Sequence, residues 1–253
     1  WGWRIPFLLS AVLVLLGLWI RKGIDETPEF KKVKQAGQLA KTPLRDTLTH
    51  HWREVLIAAG LKVVETAPFY IFSTFVVSYA TTTLSYQKSQ ALEAVTLAAL
   101  VATIMIPLMG LLSDKIGRQR MYAIGVFALG LFILPWFWLL DTGETWGIVL
   151  ATLIAFGILW APITAVLGKL CSEIFSANVR YTGITLGYQL GAALAGGTAP
   201  LIATGLLAKY DGDWTPVACY LMVTVAISLV AIFCASRVKR ETAAQTQAQA
   251  QKL

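Results

Sequence analysis

Five side chains capable of ionic or hydrogen-bonding chemistry lie within one apolar stretch of the chain. They fall on one broad face if the stretch from Val55 is helical, because successive residues are rotated by about 100°. They are Lys62, Glu65, Thr66, Tyr70 and Ser73. Charges inside a membrane are costly and usually face a cavity or a partner. The spacing therefore predicts a polar stripe that could bind a small molecule.

The same residues allow a simpler structural interpretation. If this helix protrudes from the membrane, Lys62 and Glu65 make an i, i+3 ion pair at the rim, and the lysine reaches back to water. Pro68 in the same stretch removes a backbone donor and favours a bend. A bend suits a gate and simple packing equally well, so both interpretations stay open.

Three more side chains interrupt apolar runs farther along the chain. Tyr188 and Gln189 offer a hydroxyl and an amide, the sparse polar groups that orient a small molecule in an apolar pocket. Hydrogen bonding between helices is the alternative. Trp160 is either a stacking surface for a bound molecule or a filler of the core.

A dense polar segment runs from Gly110 to Arg120 between two long apolar runs. Gly110 and Gly117 allow close backbone approach and a reversal of the chain, and Asp114 is placed to cap a helix or to pair with Arg118 or Arg120. We expect a tight turn between two helices at the cytoplasmic surface, because short basic loops stay on that side. An ordinary basic loop that only fixes orientation is the alternative.

The elements that position these residues are predicted from composition. With 57% hydrophobic and 14% charged residues in 253, the chain is too apolar for an ordinary soluble domain. About 20 mostly apolar residues form a membrane-spanning helix, whereas open sheets do not survive in lipid. The fold class is therefore an all-α membrane protein with about seven spans, near residues 3–20, 55–80, 92–112, 121–140, 146–167, 181–207 and 215–235.

The charge distribution predicts the orientation of the chain. The net charge is +7, but the basic residues are concentrated in alternate loops and do not form one patch, which argues against a nucleic-acid partner. Under the positive-inside rule, Trp1 lies outside and Leu253 inside. The basic stretch from Phe30 to Ala40 either lies on membrane lipid or is a solvated linker.

The sequence contains no pattern for a metal, a cofactor or an enzymatic reaction. The three cysteines have no metal-ligand spacing, and His50 and His51 are adjacent at the foot of a span. Phosphate loops, nucleophile elbows and zinc-protease motifs are absent. We therefore expect no cofactor, no metal and no catalytic residues.

The pattern Gly-x-x-x-Asp-x-x-Gly-Arg-x-Arg resembles the signature loop of the major facilitator superfamily, and the segment around Glu173 and Arg180 resembles its second cytoplasmic charge motif. The resemblance implies a six-helix C-terminal bundle preceded by one extra transmembrane helix. It also implies a conformational latch on the cytoplasmic side, formed by Gly110, Asp114, Gly117, Arg118, Arg120, Glu173 and Arg180.

More narrowly, the segments Trp-Gly-Trp-Arg-Ile-Pro-Phe, Glu-Thr-Pro-Glu-Phe, Val-Arg-Tyr-Thr-Gly and Gly-Gly-Thr-Ala-Pro resemble the metabolite:proton symporter family. In that scheme residues 1–22 are helix six of a missing N-terminal half and 23–52 are the cytoplasmic loop between halves. Residues 53–240 are the C-terminal six-helix bundle, and 241–253 are a cytoplasmic tail.

The expected function is that of the C-terminal half of a proton-coupled symporter, located in a bacterial inner membrane and working by alternating access. The resemblance supplies the substrate class, a small organic acid or zwitterionic metabolite. Substrate would be bound by Lys62, Glu65, Tyr70, Trp160, Tyr188 and Gln189. The expected partners are substrate, protons, membrane lipid and the missing half, without which the chain should not transport. The alternative is a non-transporting truncated membrane protein or a module that binds a partner.

Overall fold

The computed structural model describes residues 2–23, 43–176 and 179–250. The chain divides into two compact units, Trp1–Lys41 and Thr42–Leu253, and each is described by itself. Within the described residues every regular element is a helix. The expected all-α architecture is therefore confirmed, while the stretch from Phe30 to Ala40 and most of the predicted loop 23–52 lie outside the described residues.

The first unit contains one long helix, α1 (Ile5–Gly23), preceded by a short 3-10 turn at Gly2–Arg4. α1 is 19 residues long and its described aliphatic side chains are exposed. At 1.5 Å per residue this length corresponds to about 28 Å, close to the hydrocarbon thickness of a bilayer. α1 coincides with the first predicted span.

The second unit begins with a short helix, α2 (Pro43–His50), and continues with six helices that are long and apolar enough to cross a membrane. Each of the six coincides with one of the predicted spans. They are α3 (Trp52–Thr82), α4 (Lys88–Ile116), α5 (Arg118–Leu140), α6 (Thr145–Ser172), α7 (Arg180–Lys209) and α8, whose membrane-spanning part is Thr215–Val238.

α8 as a whole extends to Ala250. The helix thus runs without interruption from the last span through most of the segment 241–253 that was predicted to be a tail. Short-range helical hydrogen bonds need no tertiary support to continue, and the run of Ala and Gln after Glu241 has good helix propensity.

Three of the six spans contain a π-helical turn, at Ile71–Phe75 in α3, Leu153–Leu159 in α6 and Ala192–Gly196 in α7. The turn in α3 follows Pro68, which cannot donate to the Val64 carbonyl. Such turns widen a helix locally and redirect the side chains that follow. The polar residues of interest therefore lie beside irregular helical turns.

α3 lies at the centre of the bundle, since it packs against α7 and α8 along most of its length and also contacts α6. Its contact with α7 depends on glycine. A Cβ atom at Gly187 would lie 2.5 Å from the Ala58 Cβ, and one at Gly191 would lie 2.6 Å from the Ala59 carbonyl oxygen. Small residues in this register let two membrane helices approach closely, as the glycines and alanines of this stretch predict.

Candidate functional site

Lys62 and Glu65 form an ion pair within α3, at i and i+3. The two side chains are 18% and 13% exposed, so the pair is largely shielded from solvent by its neighbours. The Thr66 hydroxyl donates a second hydrogen bond to the Glu65 carboxylate, at 2.9 Å between Oγ1 and Oε2. A buried pair is retained only if its remaining lone pairs are satisfied, and Thr66 supplies part of that requirement.

Tyr188 of α7 completes the surroundings of the lysine. The Lys62 ammonium lies 4.9 Å from the centroid of the Tyr188 ring, a cation–π distance. The close approach at Gly191 makes this contact possible, because a Cβ atom there would lie 2.7 Å from the Lys62 Cβ. The helix crossing thus brings together two predicted site residues that are 126 positions apart in the chain.

The Tyr188 hydroxyl points away from the ion pair toward α6. It is enclosed beside Cys171 and makes no hydrogen bond of ordinary geometry to another described group. A buried hydroxyl without a partner is costly. The position marks a point where a bound molecule or a rearranged helix could supply a hydrogen bond.

Trp160 of α6 contacts the backbone beneath the pair. Its indole Nε1 donates to the Glu65 carbonyl oxygen at 2.7 Å, and its ring lies 5.4 Å from Phe69 and 5.3 Å from Phe156, centroid to centroid. The ring is almost fully buried. In this structure Trp160 packs in the core and holds the turn that carries Glu65. Stacking of Trp160 on a bound molecule stays a prediction.

Tyr70 and Gln189 do not join this cluster. Tyr70 is 38% exposed and its ring meets Phe69 edge to face. Gln189 is exposed, and its side chain takes part in none of the side-chain hydrogen bonds found among the described residues. On α7, Tyr188 turns toward α3, and the next residue along the helix, about 100° away, faces outward. Substrate contact by Tyr70 and Gln189 stays a prediction.

Sequence reasoning missed two residues that contact this part of α3. The Tyr122 hydroxyl of α5 donates to the Leu61 carbonyl oxygen, and Ser228 of α8 bonds to both Gly60 and Val64. Both are polar residues within largely apolar spans. Their polarity is the signal that could have identified them, since polar groups inside a membrane need partners.

A second cluster lies at the end of the bundle where α4 meets α5. The Arg118 guanidinium donates to Asp114 Oδ1 at 2.8 Å and to Glu173 Oε1 at 3.0 Å. The reversal between the helices depends on Gly117, whose φ of +96° is strained for any other residue. One arginine thus joins the ends of α4, α5 and α6, and it borders a shallow cavity of about 350 Å³.

The other predicted latch residues occupy different positions. Arg120 is exposed and forms none of the ion pairs found in the described part of the chain. The Arg180 Nε donates to the Phe175 carbonyl oxygen at 3.3 Å. At Gly110 an added Cβ atom would meet no described atom within 4 Å, so the expected close packing is not seen there, because the helix face that carries Gly110 is open.

No group of three or more His, Cys, Asp or Glu side chains that could hold a metal ion occurs among the described residues. The site therefore consists of an enclosed ion pair, its aromatic neighbours and a charge cluster at one end of the helices. An arrangement of this kind inside a bundle of membrane-spanning helices is typical of a multi-pass membrane transporter.

The family is established by sequence comparison. The family model "Major Facilitator Superfamily" matches residues 1–196 and 63–252. The chain belongs to this superfamily, which confirms the resemblance of the signature loop and the expected fold class.

Three curated relatives illustrate the similarity. The shikimate transporter of Escherichia coli K12 is 33% identical over 90% of this chain and 52% of the relative. The inner membrane metabolite transport protein YhjE of the same strain is 32% identical, over 92% of this chain and 53% of the relative. The proline/betaine transporter of that strain is 28% identical, over 91% and 47%. No solved structure matches the chain.

The chain spans about half the length of the curated relatives it matches. Those relatives are named as transporters and none of the three as an enzyme, which supports the expectation that this chain is not an enzyme. Together with the six apolar helices, they support a multi-pass protein of the bacterial inner membrane.

Proposed function

We propose that this chain is the C-terminal half of a proton-coupled secondary carrier for a small organic acid or a zwitterionic metabolite. The relatives named for shikimate and for proline and betaine support a substrate that carries a carboxylate. The observation that carries the proposal is the enclosed Lys62–Glu65 pair with the Tyr188 ring against the ammonium group.

The pair offers a physical route to coupling. Lys62 can exchange its internal carboxylate, Glu65, for the carboxylate of a substrate. Glu65 then loses its counter-ion in a poorly hydrated site, where an unpaired negative charge is expensive and protonation removes that cost. Substrate binding at Lys62 and proton uptake at Glu65 therefore favour each other, which is the requirement for symport.

The cluster around Arg118 supplies the conformational control in this proposal. Arg118 links Asp114 and Glu173 across three helix ends, so it must release at least one carboxylate when those ends separate. Both bonds are charge-assisted and partly exposed to solvent, where such pairs contribute little each and exchange readily. The cluster can therefore stabilise one conformation and still release it during the transport cycle.

The remaining parts of the proposal concern the rest of the carrier. Residues 1–22 are assigned as the last helix of the N-terminal half and 53–240 as the C-terminal bundle. The basic loops assign the C-terminus to the cytoplasm, and the N-terminal half supplies the opposite wall of the cavity, as in carriers built from paired repeats. Tyr70 and Gln189, which are exposed on this bundle, would then face that wall.

The direct test is Glu65→Gln in the full-length carrier, reconstituted in vesicles and supplied with shikimate or with proline. We expect accumulation driven by a pH gradient to fall at least about tenfold, because an amide cannot take up the coupling proton. Exchange of internal for external substrate should continue, since it needs no net proton movement.

Glu54→Gln is the matched control. Glu54 lies on the same helix and pairs with His51, also at i and i+3, near the helix start, so its loss should leave gradient-driven accumulation near the wild-type level. Unchanged accumulation in Glu65→Gln would remove Glu65 from the mechanism, and the absence of uptake of either substrate by the wild-type carrier would refute the proposed substrate class.

A further inference from the structure

Ser228 of α8 bridges two groups of the α3 backbone that lie one helical turn apart. Its hydroxyl donates to the Gly60 carbonyl oxygen at 2.6 Å, and its oxygen accepts from the Val64 amide at 3.1 Å. Gly60 and Val64 are the acceptor and the donor of one i→i−4 helical hydrogen bond. A side chain from another helix therefore binds both the acceptor and the donor of one rung of the α3 ladder.

The bridge depends on a very close contact between the two helices. Ser228 is fully buried, and a Cβ atom at Gly60 would lie only 2.9 Å from the Ala231 Cβ. Glycine at position 60 lets α8 come near enough for a short serine side chain to reach the backbone.

The turn from Gly60 to Glu65 is held by side chains from three other helices. Ser228 binds Gly60 and Val64, Tyr122 donates to the Leu61 carbonyl oxygen, and Trp160 donates to the Glu65 carbonyl oxygen. Pro68, one turn later, has no amide hydrogen for Val64. The stretch that carries Lys62 and Glu65 is thus connected to three neighbouring helices through four of its backbone groups.

We propose that Ser228 is a positioning residue for the Lys62–Glu65 pair. It holds the α3 turn in the geometry that directs Lys62 toward Tyr188, although α8 itself contributes none of the described contacts to the pair. The significance of this role for transport rests on the function proposed above, whereas the Ser228 bridge itself does not. When α3 bends during the transport cycle, the Ser228 bridge is the contact that opens and closes.

The first measurement is hydrogen exchange of the α3 backbone in the full-length carrier in lipid nanodiscs, which requires no substrate. In Ser228→Ala the Val64 amide loses an acceptor, so its exchange should accelerate by about three- to tenfold, the range expected for one hydrogen bond. Ser228→Cys, which keeps the size and a weak hydrogen-bonding group, should give an intermediate rate.

Thr224→Val is the matched control on the same helix. Thr224 is buried one turn before Ser228, and its hydroxyl donates to the Leu221 carbonyl of its own helix. Removal of that hydroxyl should leave Val64 exchange unchanged. Equal Val64 exchange in wild type and Ser228→Ala would overturn the Ser228 bridge. So would an acceleration in Thr224→Val as large as that in Ser228→Ala.

The second measurement tests positioning through the reactivity of Lys62. We expect acylation of Lys62 by an N-hydroxysuccinimide ester, normalised to the exposed Lys169 on α6, to rise about threefold or more in Ser228→Ala, because the loosened turn exposes the ammonium group. Ser228→Cys should restore most of the protection. Faster Val64 exchange with unchanged Lys62 reactivity would make Ser228 a packing residue and overturn the positioning role. Failure of the Glu65→Gln transport test would leave both measurements valid.

Discussion

The two ends of α5 are held in opposite ways. At its first residue, the Arg118 guanidinium binds two carboxylates, Asp114 and Glu173. Just beyond its last residue, the Asp141 carboxylate accepts from the Trp214 indole at 2.7 Å and from the Tyr79 hydroxyl at 3.5 Å. One end is a cation among anions, and the other is an anion among neutral donors.

Both charges oppose the dipole of the helix that carries them. A positive charge at a helix N-terminus and a negative charge at a C-terminus each cost about 0.3–1 kcal/mol when exposed. Arg118 and Asp141 therefore need partners from other elements, and each has them. Because those partners come from α4 and α6 at one end and from α3 and the start of α8 at the other, α5 connects the rest of the bundle through its two ends.

The two ends differ in whether aromatic packing accompanies the polar contacts. Among the described contacts, the Arg118 cluster has ionic bonds and no aromatic packing. The Asp141 cluster sits on a stack of rings, in which Trp214 lies parallel to Phe137 at 4.8 Å between centroids and Phe137 meets Tyr79 and Trp136 edge to face. The first can exchange partners in water, whereas the second can open only by separating packed rings. This contrast favours a movable joint at the Arg118 end and a fixed joint at the Asp141 end.

Trp214→Ala is expected to give the largest effect, because it removes both the donor and the stacked ring. We expect a loss of about 2–3 kcal/mol in the free energy of unfolding of the carrier, somewhat below the range for a fully buried tryptophan, measured by denaturant or thermal unfolding in detergent. Trp214→Phe keeps the ring and should cost only about 1 kcal/mol, the value of one hydrogen bond. Equal losses in the two variants would show that ring packing contributes nothing to this joint.

Arg118→Glu is expected to give the next largest effect at the other end of the helix. It replaces two attractive pairs by three neighbouring carboxylates, and we expect a loss of about 1–2 kcal/mol, since the pairs are partly exposed. The added substitution Glu173→Arg should restore part of the loss by re-forming an ion pair in the reverse sense.

Arg120→Glu is the control for that experiment. It changes the same charge two residues away, at an exposed position that has no ion pair among the described residues. Its effect on stability should stay within about 0.5 kcal/mol, as for most surface changes. A loss as large as that of Arg118→Glu would show that net charge, and not the cluster, determines stability at this end.

The smallest expected effect is a difference between the two ends in the salt dependence of stability. Raising the ionic strength from 0.05 to 1 M shortens the screening length several-fold, so the stability difference between wild type and Arg118→Glu should shrink by less than about 1 kcal/mol. The difference between wild type and Trp214→Phe should not change, because a hydrogen bond from a neutral donor is screened little. A salt dependence at the Asp141 end would contradict the contrast drawn here.

Much of the site was predictable wherever the partners are close in sequence. The Lys62–Glu65 and Asp114–Arg118 pairs follow from helical spacing of three and four residues, and the glycines of α7 indicated a close crossing. The role of Asp141 was not predictable, because a carboxylate in a short loop between two spans is usually solvated. Helical periodicity led to the expectation that Tyr70 and Gln189 lie beside the pair. It gives the direction of a side chain on its own helix, but not the direction in which a neighbouring helix presents its side chains.

The sequence by itself determined the helices and their order, because apolar runs of span length in lipid can satisfy their backbone groups only as helices. It also determined the basic turn between α4 and α5 and the polar stripe of α3. Only the tertiary structure decided that Glu173 meets Arg118, that Tyr188 lies against Lys62 and that Ser228 binds the α3 backbone. The residues in these contacts are 55, 126 and 164 positions apart in the chain. The contacts depend on how closely the helix backbones approach each other, and local periodicity does not predict that distance.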